Sequence, residues 1–204
     1  MRASLCSLFI LLRDRSIEAG IIALDYDGRK ANEFIANHEH IENEIGRYQV
    51  DCEVAIARFQ PVARDLRDIM VLFRIGHELE RVLALTLSVV KKTVKIIERF
   101  EVDNRKRMFN RIELIDQVGR VESMLKCCQL LTISYQPHLV DRIKQSNDEV
   151  GLIKRRLRQE VNAAVASDPN KAGLMFYMFA VCRHYDSIAD LLYSVSEEIV
   201  ALKS

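Results

Sequence analysis

Apolar positions along this chain return every three or four residues almost without interruption, a pattern that predicts helices from end to end. A first helix is expected from about Ala3 to Leu24, closed by the turn-forming Asp25-Tyr26-Asp27-Gly28. A second runs from about Arg29 to Arg58 and puts Ile41, Ile45, Tyr48, Cys52 and Ala55 or Ile56 on one face. Pro61 opens a very long third helix reaching about Phe100, in which Leu66, Ile69, Phe73, Val82, Leu85 and Val89 recur at helical spacing. After a polar stretch from Glu101 to Lys106, a fourth helix carries Met108, Ile112, Ile115, Val118, Val121, Leu125 and Cys128 and ends near Tyr135. Gln136-Pro137-His138 starts a fifth that reaches about Val165, and Ser167-Asp168-Pro169 supplies a cap and a proline for a sixth, to about Leu202. The three prolines, Pro61, Pro137 and Pro169, each stand just ahead of a helical pattern, where a missing N–H costs nothing.

Three helices followed by three more suggest a duplication. Sliding the chain by 106 positions sets Glu80 beside Asp186, Val82 beside Ile188 and Leu85 beside Leu191, and brings Pro61 and Pro169 within two residues of the same offset. The expected fold class is therefore all-α, two tandem pseudo-symmetric three-helix bundles, with the first repeat over 1–101 and the second over 102–204.

Composition narrows the function. Apolar residues make up 49% of the 204 positions, enough for a substantial core. Lys plus Arg number 30 against 29 Asp plus Glu, so no basic surplus points to nucleic acid. Five cysteines (Cys6, Cys52, Cys127, Cys128, Cys182) without a C-x-x-C pair read as buried, reduced thiols, which sets the expected location in the cytoplasm. Arg2 and the apolar run Ala3 to Leu12 resemble the start of a secretion signal, but Arg13-Asp14-Arg15 follows at once with no small-residue cleavage site, and the run is too short to span a bilayer. An amphipathic first helix is the expectation. His40, His77, His138 and His184 form no nucleophile–base–acid spacing, and there is no Gly-rich phosphate loop and no H-E-x-x-H, so a binding role is expected in place of an enzyme.

The string Arg58-Phe59-Gln60-Pro61-Val62-Ala63-Arg64-Asp65-Leu66-Arg67, followed by Glu78-Leu79-Glu80-Arg81-Val82, resembles the signature of the PhoU family of phosphate-signalling accessory proteins. Ile41, Glu42, Cys52, Ile56 and Ala57 upstream, and Asp186-x-Ile188-Ala189-Asp190 with Glu197-Glu198 in the second half, extend the resemblance over nearly the whole chain. It implies a cytoplasmic, usually dimeric, non-enzymatic regulator that binds a phosphate ABC transporter ATPase and a sensor histidine kinase, and so touches membranes only through partner proteins. Two other readings stay open: a metal-binding helical protein, and an accessory subunit of a different ion transporter.

The resemblance also implies metal clusters at acid-x-x-x-acid pairs, because carboxylates four apart share a helix face and supply hard oxygen ligands. The second copy is present as Asp186 and Asp190; the first keeps Glu80 but has Ala84 four residues on. His38 and Glu42 form a mixed nitrogen–oxygen pair that would suit iron, zinc or another divalent metal. The corresponding positions of the fifth helix are Asn147 and Gly151, which are poor ligands. Arg64 and Arg67, at the start of the third helix, are the candidate partner-binding residues, suited to an acidic surface or a phosphate-like anion.

Overall fold

The fold, given by a computed structural model, is described for residues 1–101 and 114–202. Its elements are α1 (Arg2–Asp25), α2 (Gly28–Ala36), α3 (His38–Phe59), α4 (Ala63–Arg99), α5 (Leu114–Ile133), α6 (Pro137–Ser167), a 3₁₀ turn (Pro169–Lys171) and α7 (Ala172–Ala201). No strand occurs among the described residues. The protein is all-α, with α1, α3 and α4 forming a first three-helix half, α2 lying as a short spur on α4, and α5 to α7 forming the second half. The expected polar stretch beyond Glu101, the boundary between the repeats, and Met108 and Ile112 lie outside the described residues. Among the described residues no helix is long and apolar enough to cross a membrane.

Helix α1 is the core helix that its apolar spacing predicts. Leu5, Phe9, Leu12, Ala19, Ile22 and Ala23 are fully buried, each stabilising the fold by roughly 1.5–3 kcal/mol for the larger side chains. It ends where expected: Tyr26 takes a left-handed conformation (φ 54°) and its N–H donates to the Ile22 carbonyl at 2.9 Å. Pro137 opens α6 at its first turn, and the Asp168 carboxylate accepts from the Asn170 N–H at 3.1 Å at the head of the last helix.

The single helix expected from Arg29 to Arg58 is two helices. Asn37 (φ −87°, ψ 5°) separates α2 from α3, and the cause lies on α1. The guanidinium of the buried Arg15 lies over the Phe34 ring, 3.4 Å from its centroid, and donates from Nη2 to the Phe34 carbonyl at 2.8 Å. An interior donor thus holds the last turn of α2 by its carbonyl, and the chain turns there. The predicted face of α3 is intact, with Ile41, Ile45, Tyr48, Cys52 and Ala55 buried.

Helix α4 begins at Ala63, so Pro61 sits in the connection and not inside the helix. Its burial is wider than one stripe. Val71, Leu72, Ile75, Leu79, Leu83, Val90 and Ile96 join Val82 and Val89 inside, whereas Leu66, Ile69, Phe73 and Leu85 are only half-buried. The reason is position: α4 packs on α1, α2 and α3 on one side and along α7 on the other. Thr86 and Thr93 enter this core because their hydroxyls donate to the Val82 and Val89 carbonyls at 2.8 and 3.0 Å. On α5, Ile115 departs from the expected stripe and is 70% exposed, the inward positions being Leu114, Gln117, Val121, Met124, Leu125 and Cys128.

The two halves interlock. Helix α1 runs along α5, α4 runs along α7, and one continuous apolar cluster passes through both halves. At the seam, the fully buried Tyr185 of α7 donates its hydroxyl proton to the Ser16 carbonyl of α1 at 2.9 Å. One turn along α1, Gly20 leaves no space: a Cβ there would stand 2.6 and 2.9 Å from the Val118 methyls and 3.1 Å from the Tyr185 oxygen. Gln117, also fully buried, donates to the Cys182 carbonyl at 3.5 Å, linking α5 to α7.

Gly20→Val should therefore destabilise the protein by about 1–3 kcal/mol in urea denaturation, as overpacking does. Gly46→Ala is the control: its Cβ meets nothing within 4 Å, and helix propensity should make it neutral to stabilising.

Candidate functional site

The acids of α4 and α7 are set by what the neighbouring helices present to them. Glu80, exposed on α4, accepts from Gln49 Nε2 of α3 at 3.1 Å, and His77 Nδ1 lies 3.6 Å from the same carboxylate. Gln49 Nε2 is also 3.2 Å from His77 Nδ1. In the second half Asp186 is buried, 5% exposed, and its Oδ2 accepts from Lys154 Nζ of α6 at 2.5 Å. Asp190, one turn further, is exposed and lines a shallow cleft between α4 and α7 with Arg81, Ala84, Leu85, Ser187 and Leu191. The structure thus sends Asp186 toward α6 and Asp190 toward α4, and Ala84 faces Asp190 across the cleft without a ligating atom.

His38 is the first residue of α3 and is half-buried; Glu42, one turn on, is exposed. The Nδ1 of His38 is buried without a hydrogen-bond partner. Burial lowers its pKa below the ordinary histidine value, with Glu42 opposing and with Arg15 of α1 and Lys91 of α4 adding to the depression. The charges acting on the imidazole are thus mixed, one anion, Glu42, against two cations, Arg15 and Lys91. Among the described residues no three His, Cys, Asp or Glu side chains converge as a metal-binding group.

The Gln60 to Arg67 string forms an exposed corner between α3 and α4. Gln60 (φ 45°, ψ 52°) is left-handed and closes α3 with its N–H on the Ile56 carbonyl at 3.0 Å; Val62 is extended, and Ala63 is again at positive φ (46°). Phe59 and Val62 are 72% and 75% exposed. Asp65 lies in the first turn of α4, where the helix dipole favours an anion. Arg67 reaches across to the end of α7, its Nη2 donating to the Ala201 carbonyl at 3.0 Å. Arg64 is exposed and makes no hydrogen bond or ion pair among the described residues.

Several of these partners are not visible from spacing. Lys154 and Gln49 lie about thirty residues before the acids they hold, and only the offset between the halves hints at them: Glu80 and Asp186 are 106 apart, Gln49 and Lys154 105 apart. Glu198, read only as part of the closing helix, has a half-buried carboxylate 3.6 Å from Arg74, and burial together with Glu78 raises its pKa against the pull of Arg74. Next to His77 along α4, Arg81 pairs with Glu78 at 2.9 Å. All five cysteines are free thiols, each with its pKa raised by burial, which keeps them in the unreactive protonated form.

No family model matches the chain. Two curated relatives do, both named phosphate-specific transport system accessory protein PhoU homolog. The one from Rhizobium meliloti (strain 1021) is 25% identical over 158 residues, covering 78% of this chain and 63% of that protein. The one from Aquifex aeolicus (strain VF5) is 25% identical over 135 residues, covering 66% and 58%. The chain thus matches about three fifths of the length of these relatives. In three dimensions it is similar to the crystal structure of PhoU from Pseudomonas aeruginosa, with TM-score 0.83 and 19% identity over 99% of this chain and 94% of that one. The phosphate transport system regulatory protein PhoU from Streptococcus pneumoniae gives TM-score 0.82 and 17% identity over 99% and 92%.

The depressed histidines set a pH dependence. Unfolded imidazoles take up a proton near about pH 6.5, whereas folded His38 does so only at lower pH, so between the two the unfolded state binds more protons and stability falls as pH drops. His184, lowered by burial and then by Lys92 and Arg183, contributes with the same sign. Thermal melts recorded from neutral pH down to about 5 should show this slope; His38→Gln should flatten it in part, and His38→Gln with His184→Gln more fully.

Proposed function

We propose that this chain, a divergent relative of the PhoU proteins in sequence and fold, is a cytoplasmic regulator of phosphate uptake and phosphate-starvation signalling. It acts by binding a phosphate transporter's ATPase, its partner sensor histidine kinase, or both, as a homodimer of chains built from the repeats 1–101 and 102–204. The observation that carries this reading is the agreement of fold and motif. The likeness to PhoU crystal structures runs over 99% of the chain, and the Gln60 to Arg67 string stands on an exposed corner of that fold.

The corner has the chemistry of a contact surface. Exposed Phe59 and Val62 stand beside Arg58, whose guanidinium carbon is 5.7 Å from the Phe59 ring centroid, and beside Arg64, which makes no hydrogen bond or ion pair among the described residues. Aromatic residues and arginine are enriched in protein interfaces, where the one supplies apolar area and the other charge-assisted hydrogen bonds to an acidic partner. A regulator of this kind shifts its partner by binding one of the partner's conformations better than another.

Deleting the gene should raise a phosphate-starvation reporter in high phosphate and alter phosphate uptake; unchanged expression and unchanged uptake would refute the reading. Arg64→Glu should reproduce the deletion phenotype while leaving the melting temperature of the purified protein within about 2 °C, the range expected for a surface substitution.

A further inference from the structure

The resemblance implies metal at the acid pairs, and the side chains present do not fit one. A divalent cation held by carboxylates needs several free anionic oxygens converging on it. Here the three candidate acids of α4 and α7 already face a donor or a cation. Asp186 receives the Lys154 ammonium, Glu80 receives the Gln49 amide, and Asp190 shares its cleft with Arg81.

We propose that Lys154 is a built-in counter-ion for Asp186, and that donors from the second helix of each half, Lys154 and Gln49, take the acid oxygens that a metal would use, so that the bundle stands without metal. The device is repeated. Lys154 follows Gln49 by 105 positions and Asp186 follows Glu80 by 106, so the same helix pair, α3 with α4 and α6 with α7, brings donor to acid in both copies. The copies differ in strength in the way burial requires. Glu80 is exposed and a neutral amide suffices, whereas Asp186 is 5% exposed and a buried carboxylate requires a full positive charge. Lysine suits the task because its ammonium is a point charge on a flexible stem, and the Lys154 side chain keeps 36% exposure, which leaves the ammonium its remaining hydration.

This inference stands independently of the regulatory reading, and the purified full chain tests it. Protein prepared without a histidine tag should contain substoichiometric iron, zinc and manganese after incubation with each, and should melt at one temperature in EDTA, Mn²⁺ or Zn²⁺. Lys154→Met should lower the melting temperature by on the order of 5 °C by leaving Asp186 buried without a counter-charge. Lys154→Arg should keep most of the stability, and Lys154→Met combined with Asp186→Leu should recover it, since an apolar pair needs no counter-ion. Near-stoichiometric metal with a melting temperature that rises on loading, both lost in Asp186→Asn, would overturn the proposal. So would a Lys154→Met protein that melts with the wild type.

Discussion

The bond from Tyr185 to the Ser16 carbonyl is made where α1, α5 and α7 meet too closely for any side chain at Gly20, and the rest of the architecture depends on this approach. By chain order α1 belongs to the first half, yet it lies along α5 of the second. Once that seam is closed, α4 is set along α7, and the face that α4 would otherwise leave to solvent is covered. The width of apolar burial on α4, which exceeds one helical stripe, follows from being held between two sets of neighbours. A hydroxyl and a missing Cβ thus decide which surfaces become interior.

Several interior polar groups are paired, whereas the Ser16 Oγ, Gln117 Oε1 and Arg15 Nε atoms have no hydrogen-bond partner among the described residues. Arg15 is buried with its guanidinium divided between Glu18 at 2.7 Å, the Phe34 carbonyl and the Phe34 ring. Asp186 is buried against Lys154, and Thr86 and Thr93 return their hydroxyls to the backbone. Such groups contribute little net stability compared with apolar side chains of the same volume, since desolvation offsets most of the attraction. Their effect is on specificity: Arg15 fixes where α2 stops, and Lys154 fixes the α6–α7 register at a single acid. Rotating either helix would strand a charge in the core, which is far more costly than losing the pair's net contribution.

Helix existence was legible because proline, the Asp25 to Gly28 turn and apolar spacing are local signals, and α3's inward face could be read residue by residue. The break at Asn37 was not, since its cause is Arg15, far off in sequence on another helix. Ile115 misled for a related reason: an apolar residue one step beside the stripe cannot be told from one on it until the neighbours are placed. The same limit governs the site. Spacing correctly put Asp186 and Asp190 one turn apart, but which oxygen meets which donor is decided by α6 for one and by α4 for the other. A resemblance carries acid positions forward, whereas a donor on a different helix that meets such an acid, as Lys154 meets Asp186 and Gln49 meets Glu80, has no local signature.

The corner at Gln60 to Arg67 shows how the scaffold bears on binding. Gln60 and Ala63 both sit at positive φ, a conformation that costs L-residues with a Cβ on the order of 1 kcal/mol each. The cost is sustained because α3 and α4 are long, packed and unable to relax around it, and because Arg67 fastens the start of α4 to the terminal carbonyl of α7. A guanidinium at a helix C-terminus meets the negative end of the dipole, so this tie is electrostatically favoured at the end of α7. Phe59, Val62 and Arg64 are therefore offered on a backbone already fixed in relation to both halves. A partner that docks there orders little that is not ordered beforehand, and a contact of modest area can bind more tightly than the same residues on a free loop would allow.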